Sequence, residues 1–274
     1  STGRKGPVLI DIPCDVQMAS LKKPFSYPQE VKIRGYKPST RGNDQQMNKV
    51  IAAIRKAERP LVCAGGGVIL GNAEACLRQF CEKNQIPLVT TMMGIGVIPM
   101  DNPYYLGMIG MHGRSSANRA MKEADLVILC GARVGDRAVS APQQIAEKAV
   151  VIHIDIDPAE IGKNMPVDIP IVGDIRIVMR ALAEQVKNTV PKEWLDQTLG
   201  YKKTYPSRGE PRTDSVEPRV FIRDLSAMMQ DNAILVADVG QNQIWAARNF
   251  NVKEGRFLTS GGLGTMGYSL PAAL

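Results

Sequence analysis

Glycine, arginine and aspartate recur where apolar runs end in this 274-residue chain, and together they could hold a nucleotide. Gly65-Gly66-Gly67 and Gly131-Ala132-Arg133 each follow such a run. Glycines let a phosphate approach backbone N–H groups, and an arginine beside them can neutralise its charge. Thr90-Thr91, Asp155-Ile156-Asp157 and Gly173-Asp174 end three further runs. Because carboxylates can bind ribose hydroxyls or an adenine amine, the whole set predicts a dinucleotide site.

Each of these turns alone has a second interpretation, because glycine also serves wherever the chain must turn tightly. The spacing departs from the dinucleotide fingerprint, since Gly65-x-Gly67 is followed by Gly71, one residue too late for GxGxxG. His112 lies in a long loop rich in Gly, Met and Pro, and is either a binding residue or a plain surface residue. His153 alternates with apolar residues and is predicted to be structural.

The elements that would position this site form a repeat of strands and helices between residues 46 and 187. Strands that are apolar throughout, separated by helices, predict a doubly wound α/β domain with a mostly parallel sheet. Asn72 is the predicted N-cap of the second helix. Strands are predicted at 60–64, 86–91, 126–130, 150–155 and 169–172, and helices at 48–56, 73–83, 116–123, 143–147 and 175–187.

The rest of the chain is predicted to contain parts of two flanking α/β domains. An apolar run at 6–13 predicts a buried strand, and the run after Gly267 predicts the start of a buried helix. Such a short helix cannot bury its apolar face, so we expect the chain to be a piece of a longer protein. The predicted divisions are 1–20, the tail of one domain; 21–45, a linker; 46–187, the central domain; 188–217, a second linker; and 218–274, the start of a third domain, with a helix at 219–230 and a strand at 233–238.

Composition excludes several classes of protein. The net charge of +7 comes from scattered basic residues with no aromatic-interleaved stripe, so nucleic-acid binding is not expected. No apolar stretch approaches the roughly 18 residues that span a bilayer, so no membrane partner is expected. The five cysteines include no CxxC pair, and Cys63 and Cys130 fall inside predicted strands. This pattern indicates reduced thiols in a cytoplasmic protein, and neither disulfides nor a zinc site.

Three sets of motifs resemble those of one family. GRKGPVLIDIP at 3–13, followed by Asp15-Val16-Gln17, is similar to the end of a pyrimidine-binding domain. MGIG at 93–96 and LGMIGMHG at 106–113 are similar to a flavin-domain loop. DVGQNQIWAA at 238–247 and LTSGGLGTMG at 258–267 are similar to the opening of a diphosphate-binding domain. Nearly end to end, the chain resembles the acetolactate synthase (acetohydroxyacid synthase) catalytic subunits among the thiamine-diphosphate-dependent enzymes.

This resemblance implies two cofactor sites. Gly240, Gln241 and Asn242 would approach the phosphates of thiamine diphosphate. Gly264 and Met266 would contact its aminopyrimidine, with Met266 wedging the cofactor into its bent, reactive shape. The family motifs for Mg²⁺ and for the activating glutamate do not occur in the 274 residues, so no metal ligand is predicted here. The residues that would line the FAD site are Gly65, Gly66, Gly67, Thr90, Thr91, Met111, His112, Gly113, Gly131, Arg133, Asp136, Arg137, Asp155, Ile156 and Asp174.

Two departures from the family pattern bear on these sites. Asn242 stands where the family usually has His; an Asn can donate to a phosphate oxygen but cannot be cationic. Val134-Gly135 stands where the family more often has Phe-Asp, in the turn that would face the flavin nucleotide.

The implied activity is condensation of pyruvate with pyruvate or 2-oxobutyrate, with release of CO₂, in branched-chain amino acid biosynthesis. The implied partners are 2-oxo acids, further copies of the chain in a dimer or tetramer, and a regulatory small subunit. Two other interpretations stay open. One is another thiamine-diphosphate carboligase, oxidase or decarboxylase, of the glyoxylate carboligase or pyruvate oxidase type. The other is a nucleotide-binding module without carboligase chemistry. The chain by itself is expected to be inactive, because half of the thiamine site would lie outside it.

Overall fold

The centre of the molecule is a six-stranded, wholly parallel sheet. The computed structural model describes residues 3–30, 33–35, 39–187, 190–205 and 214–274. The strands are β1 (Pro60–Ala64), β2 (Leu88–Thr90), β3 (Tyr105–Met108), β4 (Leu126–Cys130), β5 (Val150–Asp155) and β6 (Ile169–Val172), in the order β3-β2-β1-β4-β5-β6. The predicted doubly wound α/β fold is confirmed, and β1, β4, β5 and β6 have the predicted bounds.

Helices cover both faces of this sheet. Val62 and Ala64 of β1 belong to an apolar cluster on one face, and Leu61 and Cys63 belong to a separate cluster on the other. Because both faces are buried, every residue of β1 and β4 is buried, which explains their unbroken apolar runs. The helices of this part are α1 (Cys14–Met18), α2 (Asp44–Lys56), α3 (Gly66–Leu70), α4 (Glu74–Asn84), α5 (Ser115–Glu123), α6 (Pro142–Ala146), α7 (Ile175–Gln185) and α8 (Lys192–Thr204). Of these, α2, α4 and α7 pack on one face of the sheet, and α5 and α6 pack on the other.

The C-terminal part of the chain forms a small second sheet that packs against the central part. It contains α9 (Pro218–Met228), β7 (Ile234–Ala237), α10 (Gln241–Asn249), β8 (Arg256–Thr259) and α11 (Ser269–Ala273), and β7 pairs with β8 in parallel. Its apolar cluster includes Phe250 and Phe257 of the C-terminal part. The same cluster includes Ile95, which follows β2 of the central sheet, and Met108, which ends β3. The two parts therefore share one packed junction.

The predicted strand at 6–13 is wrong. This segment pairs with no strand among the described residues, and its side chains are exposed, with Leu9 at 94%. Cys14–Met18 then form α1, which buries none of its residues. An apolar run becomes a strand only where a neighbouring strand can satisfy its backbone N–H and C=O groups. The run after Gly267 does form a helix, α11, but the predicted burial is wrong because α11 is exposed.

Several elements differ from those predicted. β3 lies inside the segment predicted to be one long loop, and α8 lies inside the predicted second linker. Asn72 is not the N-cap of α4: it has a φ of +50°, and Ala73 takes the cap position without a side-chain hydrogen bond. α2 begins earlier than predicted because the Asn43 side chain caps it by accepting from Gln46 N–H.

The buried cysteines lie where the sequence predicts them. Cys63 and Cys130 are buried, and every cysteine is a free thiol. Burial raises the pKa of the Cys63 thiol to about 12, so it is inert at neutral pH. Within the described ranges, no helix is both long enough and apolar enough to cross a bilayer. The predicted domain divisions stay predictions.

Candidate functional site

A cavity of about 890 Å³ opens at the carboxyl ends of the parallel strands. Its volume lies in the range of about 300–1,000 Å³ that is typical of small-molecule and cofactor sites. Turns after β1, β4 and β5 line one side, and the turns after β7 and β8 line the other. The predicted residues on its wall are Gly66, Gly67, Thr91, His112, Gly131, Arg133, Asp136, Arg137, Asp155, Ile156, Asp174, Gly240 and Gly264.

Other predicted residues lie off this wall. Thr90 is buried in the sheet, where its hydroxyl is 2.9 Å from the Tyr105 hydroxyl. Gly113 forms a tight turn, since a Cβ there would overlap the Met108 carbonyl oxygen. Met111 is exposed, although its N–H donates to the Arg137 carbonyl. The predicted residues that do not line the cavity are Gly65, Thr90, Met111, Gly113, Gln241, Asn242 and Met266.

The turns after β1 and β4 touch each other backbone to backbone. Gly65 N–H donates to the Cys130 carbonyl at 2.9 Å, and Gly67 N–H donates to the Gly131 carbonyl at 3.0 Å. A Cβ on Gly65 would lie 2.6 Å from Ala132 Cα, and a Cβ on Gly67 would lie 2.7 Å from Gly131 Cα. Glycine at 65 and 67 is therefore required by the contact between the turns. This contact brings two strand ends together at the crevice where α/β sheets bind ligands.

Two arginines on the turn after β4 face the cavity with free guanidinium groups. Arg133 and Arg137 are exposed, and neither pairs with a carboxylate of the described residues. Their carbonyls are used: Asn164 Nδ2 donates to the Arg133 carbonyl at 2.8 Å, and Met111 N–H donates to that of Arg137 at 3.1 Å. The backbone is thus held in place while the cationic ends stay available to an anionic ligand.

Val134, between these arginines, has an unusual backbone conformation. Its φ is +49°, in the left-handed region that a β-branched residue rarely adopts, and its side chain is buried in the cavity wall. Such a residue stores about 1–3 kcal/mol of strain, which surrounding contacts must offset. The hydrogen bond from Asn164 to the neighbouring carbonyl is one such contact. The departure from the usual Phe-Asp pair therefore falls on a strained part of the wall.

An acidic edge lies after β5 and β6. The Asp155 side chain is buried and accepts from Asp157 N–H at 2.9 Å; burial raises the pKa of this carboxyl above its ordinary value. Asp174 caps α7 by accepting from the N–H groups of Arg176 and Ile177. Asp174 therefore has a structural role as well as a place on the cavity wall.

Sequence reasoning missed three residues of the cavity wall. Arg4 and Lys5 line the cavity from the N-terminal segment, and Glu160 lines it from the turn after β5. Arg4 Nη1 donates to Asp157 at 3.0 Å and to Glu160 at 2.7 Å, while Lys5 Nζ donates to the Leu70 carbonyl at 2.7 Å. No local signal could have found Arg4 and Glu160, because 156 positions separate them in the chain.

The C-terminal turns form the far side of the cavity. Gly240 has a φ of +134° and precedes α10, and Gly264 has a φ of +65°. Asp238 holds these turns together by accepting from Gly267 N–H and from the N–H and hydroxyl of Ser269, each at 3.0 Å. These hydrogen bonds, led by the one from Ser269 N–H, lower the pKa of the Asp238 carboxyl.

The residues predicted to bind thiamine diphosphate are only partly assembled here. Gly240 and Gly264 face the cavity, whereas Gln241 and Asn242 are exposed and outside it. The Met266 side chain is 80% exposed. The predicted wedge role of Met266 therefore stays a prediction.

The two histidines lie in different surroundings, and His153 is structural as predicted. His112 lines the cavity. His153 is buried in β5, and burial lowers the pKa of its imidazole, so it is neutral at pH 7. Across the described ranges, no group of three or more His, Cys, Asp or Glu side chains is arranged to hold a metal ion.

A doubly wound sheet with a cofactor-sized cavity at its switch point, closed by a second set of glycine-rich turns, defines a cofactor-binding α/β protein. Residues 47–182 match the family model described as thiamine pyrophosphate enzyme, central domain. Residues 238–274 match the one described as thiamine pyrophosphate enzyme, C-terminal TPP binding domain. The chain belongs to the thiamine pyrophosphate (thiamine diphosphate) enzyme family.

Within this family the chain is similar over its whole length to acetolactate synthase large subunits. It is 43% identical to the protein of that name from Corynebacterium glutamicum, covering 44% of that protein, and 38% identical to that from Lactococcus lactis, covering 48%. It is also 43% identical to a probable acetolactate synthase large subunit from Methanocaldococcus jannaschii, covering 48%. The chain thus spans about half the length of the curated relatives it matches.

Proposed function

We propose that this chain supplies the nucleotide-binding centre, and part of the thiamine diphosphate site, of an acetolactate synthase catalytic subunit. The proposed reaction condenses pyruvate with pyruvate or 2-oxobutyrate and releases CO₂, in cytoplasmic biosynthesis of branched-chain amino acids. The observation that carries the proposal is that the central strand-end turns and the TPP-binding-domain turns line the same cavity. Similarity to acetolactate synthase large subunits along the whole chain supports it.

FAD is the proposed ligand of the central part of this cavity. Three features of the wall fit a flavin dinucleotide: the close-packed glycine turns, the unpaired guanidinium groups of Arg133 and Arg137, and the acidic edge at Asp155. The arginines would neutralise a diphosphate, and the carboxylates would bind the nucleoside. His112 and Thr91 on the same wall would approach the remainder of the ligand.

Thiamine diphosphate is the proposed ligand of the C-terminal turns. When bound, this cofactor supplies the electron sink for decarboxylation and carbon–carbon bond formation. The contribution of this chain is to hold and orient it through Gly240, Gln241, Asn242, Gly264 and Met266. Mg²⁺ would accompany the diphosphate in the whole enzyme, but the described residues offer no ligand cluster for it, so that part of the proposal rests on resemblance alone.

The proposed partners follow from the same family. The relatives are named large subunits, which supports a small regulatory subunit as partner, and a homodimer or homotetramer is proposed for the catalytic chain. The substrates are small 2-oxo acids.

Titration of the purified chain with FAD tests the nucleotide site. We expect saturable binding, and we expect Arg137→Ala or Arg133→Ala to weaken it by about 1.5–3 kcal/mol, because each removes a charged hydrogen-bond donor to a phosphate. Arg180→Ala is the matched control, since Arg180 is exposed on α7 and does not line the cavity. Lack of binding at about millimolar FAD, with the central sheet shown to be folded by circular dichroism, would refute the site.

Turnover of the full-length protein tests the reaction. Acetolactate is expected from pyruvate, and an enzyme that yields only acetaldehyde or an oxidised product would favour the decarboxylase or oxidase alternative. Met266→Ala should lower turnover about a hundredfold, because misplacing the reacting atoms by about 1 Å costs that much. Thiamine diphosphate affinity should change far less. Normal turnover with a lowered melting temperature would instead mean that Met266 only fills space.

A further inference from the structure

Arg114 is a cation that reaches from the central part of the molecule to the C-terminal part. Its N–H donates to the Met108 carbonyl at 2.7 Å, which fixes its backbone at the end of β3. Its side chain then runs over Gly107 of β3, where a Cβ would lie 2.5 Å from Arg114 Cδ. Its Nη2 donates to the Arg248 carbonyl at 2.5 Å. The glycine in β3 therefore leaves the space through which the Arg114 side chain reaches α10.

The group that Arg114 binds belongs to the carboxyl end of α10. The last carbonyls of a helix have no partner within it and carry partial negative charge. Arg114 pairs with no carboxylate of the described residues, and burial lowers the pKa of its guanidinium. The charge-assisted hydrogen bond to the Arg248 carbonyl compensates for this burial and stabilises the end of the helix.

A second polar contact holds the same end of α10. Asn251 follows the helix, and its Oδ1 accepts from the Met100 N–H of the central part at 2.8 Å. The Asn251 N–H donates to the Ser226 hydroxyl of α9 at 2.9 Å. Phe250 adds apolar packing at this junction, but such packing is not directional. The hydrogen bonds of Arg114 and Asn251 therefore fix how this end of α10 sits on the central part.

The opposite end of α10 lies at the cavity. Gly240 precedes the helix and lines the wall, as do Gln243 and Ile244 of its first turn. No side chain of the described residues caps this turn, so its N–H groups stay available to an anion. A helix of 9 residues is a stiff rod about 13 Å long. A shift of the end that Arg114 holds would therefore move the turn at the cavity.

We propose that Arg114 is a positioning residue for the thiamine diphosphate site. Its hydrogen bond to the Arg248 carbonyl fixes α10 against the central part, and so places Gly240 and the first turn of the helix where the diphosphate binds. Arg114 does not line the cavity and acts through α10. The inference rests on the proposed thiamine diphosphate site and names a contact that sets the distance of this site from the central turns.

Calorimetric titration of the full-length protein with thiamine diphosphate and Mg²⁺ tests this role. Arg114→Gln removes the charge and shortens the side chain. We expect it to bind thiamine diphosphate about 10- to 100-fold more weakly, the range for losing a hydrogen bond to a charged group. FAD affinity should not change, because the backbone contact with Met108 stays in place. Arg114→Lys keeps the charge and should restore most of the lost thiamine diphosphate affinity.

Arg119→Gln is the matched control. Arg119 lies on α5, pairs with Glu123 at 2.8 Å and does not line the cavity, so this variant should bind thiamine diphosphate as the unmutated protein does. If Arg114→Gln does not fold, Arg114→Met takes its place, since Met keeps an apolar stem over Gly107.

Unchanged thiamine diphosphate affinity in the folded Arg114 variant, even with a lowered melting temperature, would overturn the proposal, because Arg114 would then serve stability alone. An equal loss of FAD and thiamine diphosphate affinity would also overturn it, since that result means a general loosening of the fold.

This inference and the proposed function fail separately. An unmutated protein that is folded but does not bind thiamine diphosphate refutes the site and the role of Arg114 together. A protein that binds the cofactor but makes no acetolactate from pyruvate refutes only the proposed reaction, and the affinity of Arg114→Gln still decides the role of Arg114. Binding that is equal in the unmutated protein and in Arg114→Gln keeps the site and refutes only this role.

Discussion

The central and C-terminal sheets of this molecule are both parallel, but the strands of the central sheet are more deeply buried than those of the C-terminal sheet. Every residue of β1 and β4 is buried, whereas β7 begins exposed and buries only Ala237, and β8 alternates between buried and half-exposed positions. The central sheet has six strands with an apolar cluster on each face. The C-terminal sheet has two strands and shares its cluster with Ile95 and Met108 of the central part.

This difference shows where the stability of the site comes from. A two-stranded sheet is marginal in water unless it packs against something else. Here it packs against the central domain, and the cavity lies along that junction. The central turns are consequently held by a rigid core, and the C-terminal turns are held by docking and by the hydrogen bonds of Asp238. Matched substitutions in the two regions can test this contrast.

The largest contrast is expected from one truncation made in each sheet. Leu129 of β4 is fully buried, so Leu129→Ala should lower the free energy of unfolding by about 2–5 kcal/mol. Leu258 of β8 is 37% exposed, so Leu258→Ala should cost less than about 1 kcal/mol. Urea denaturation followed by circular dichroism measures both. Similar costs would mean that the two sheets are equally well packed.

A smaller contrast is expected between glycines of the two sets of turns. Gly65→Ala should destabilise by about 1–3 kcal/mol, because its Cβ would press on Ala132 and the Gly131 carbonyl. Gly262→Ala should change stability by less than about 0.5 kcal/mol, since no atom lies within 4 Å of the added carbon. Gly135→Ala is the control inside the central domain, as its Cβ also meets nothing within 4 Å. A neutral Gly65→Ala would contradict the close contact of the turns.

The smallest effects concern two aspartates whose pKa values shift in opposite directions. Burial raises the native pKa of Asp155, so its contribution to stability is present at low pH and is lost as pH rises through that pKa. Hydrogen bonds lower the native pKa of Asp238, so its contribution is present above the unfolded pKa of about 3.9 and is lost as pH falls through the native value.

Asp155→Asn should therefore raise the melting temperature at about pH 7 relative to the unmutated chain, and this gain should disappear at about pH 3. Asp238→Asn should lower it at neutral pH, with less effect in acid. Melting temperatures of both variants across this range check the signs. A gain from Asp238→Asn at neutral pH would show that its hydrogen bonds do not stabilise the C-terminal turns.

Much of the central fold was predictable because its signals are local. β1, β4, β5 and β6 are mostly apolar runs. Such a run is enough to predict a strand that is buried on both faces of a parallel sheet. β3 was missed because it is four residues long and contains Gly107, with a φ of +112°. The exposed run at 6–13 has the same apolar pattern as a strand but lacks a pairing partner among the described residues.

Local sequence patterns were enough to predict which residue types meet at the strand ends, since the carboxyl ends of parallel strands share one edge of a sheet. Gly67, Gly131, Arg133 and Asp155 came together for that reason. Tertiary structure alone decided that Gly65 serves the contact between two turns, and that Arg4 reaches Glu160 across 156 positions. Contacts of this kind depend on packing between distant segments, and no local pattern of residues encodes such packing.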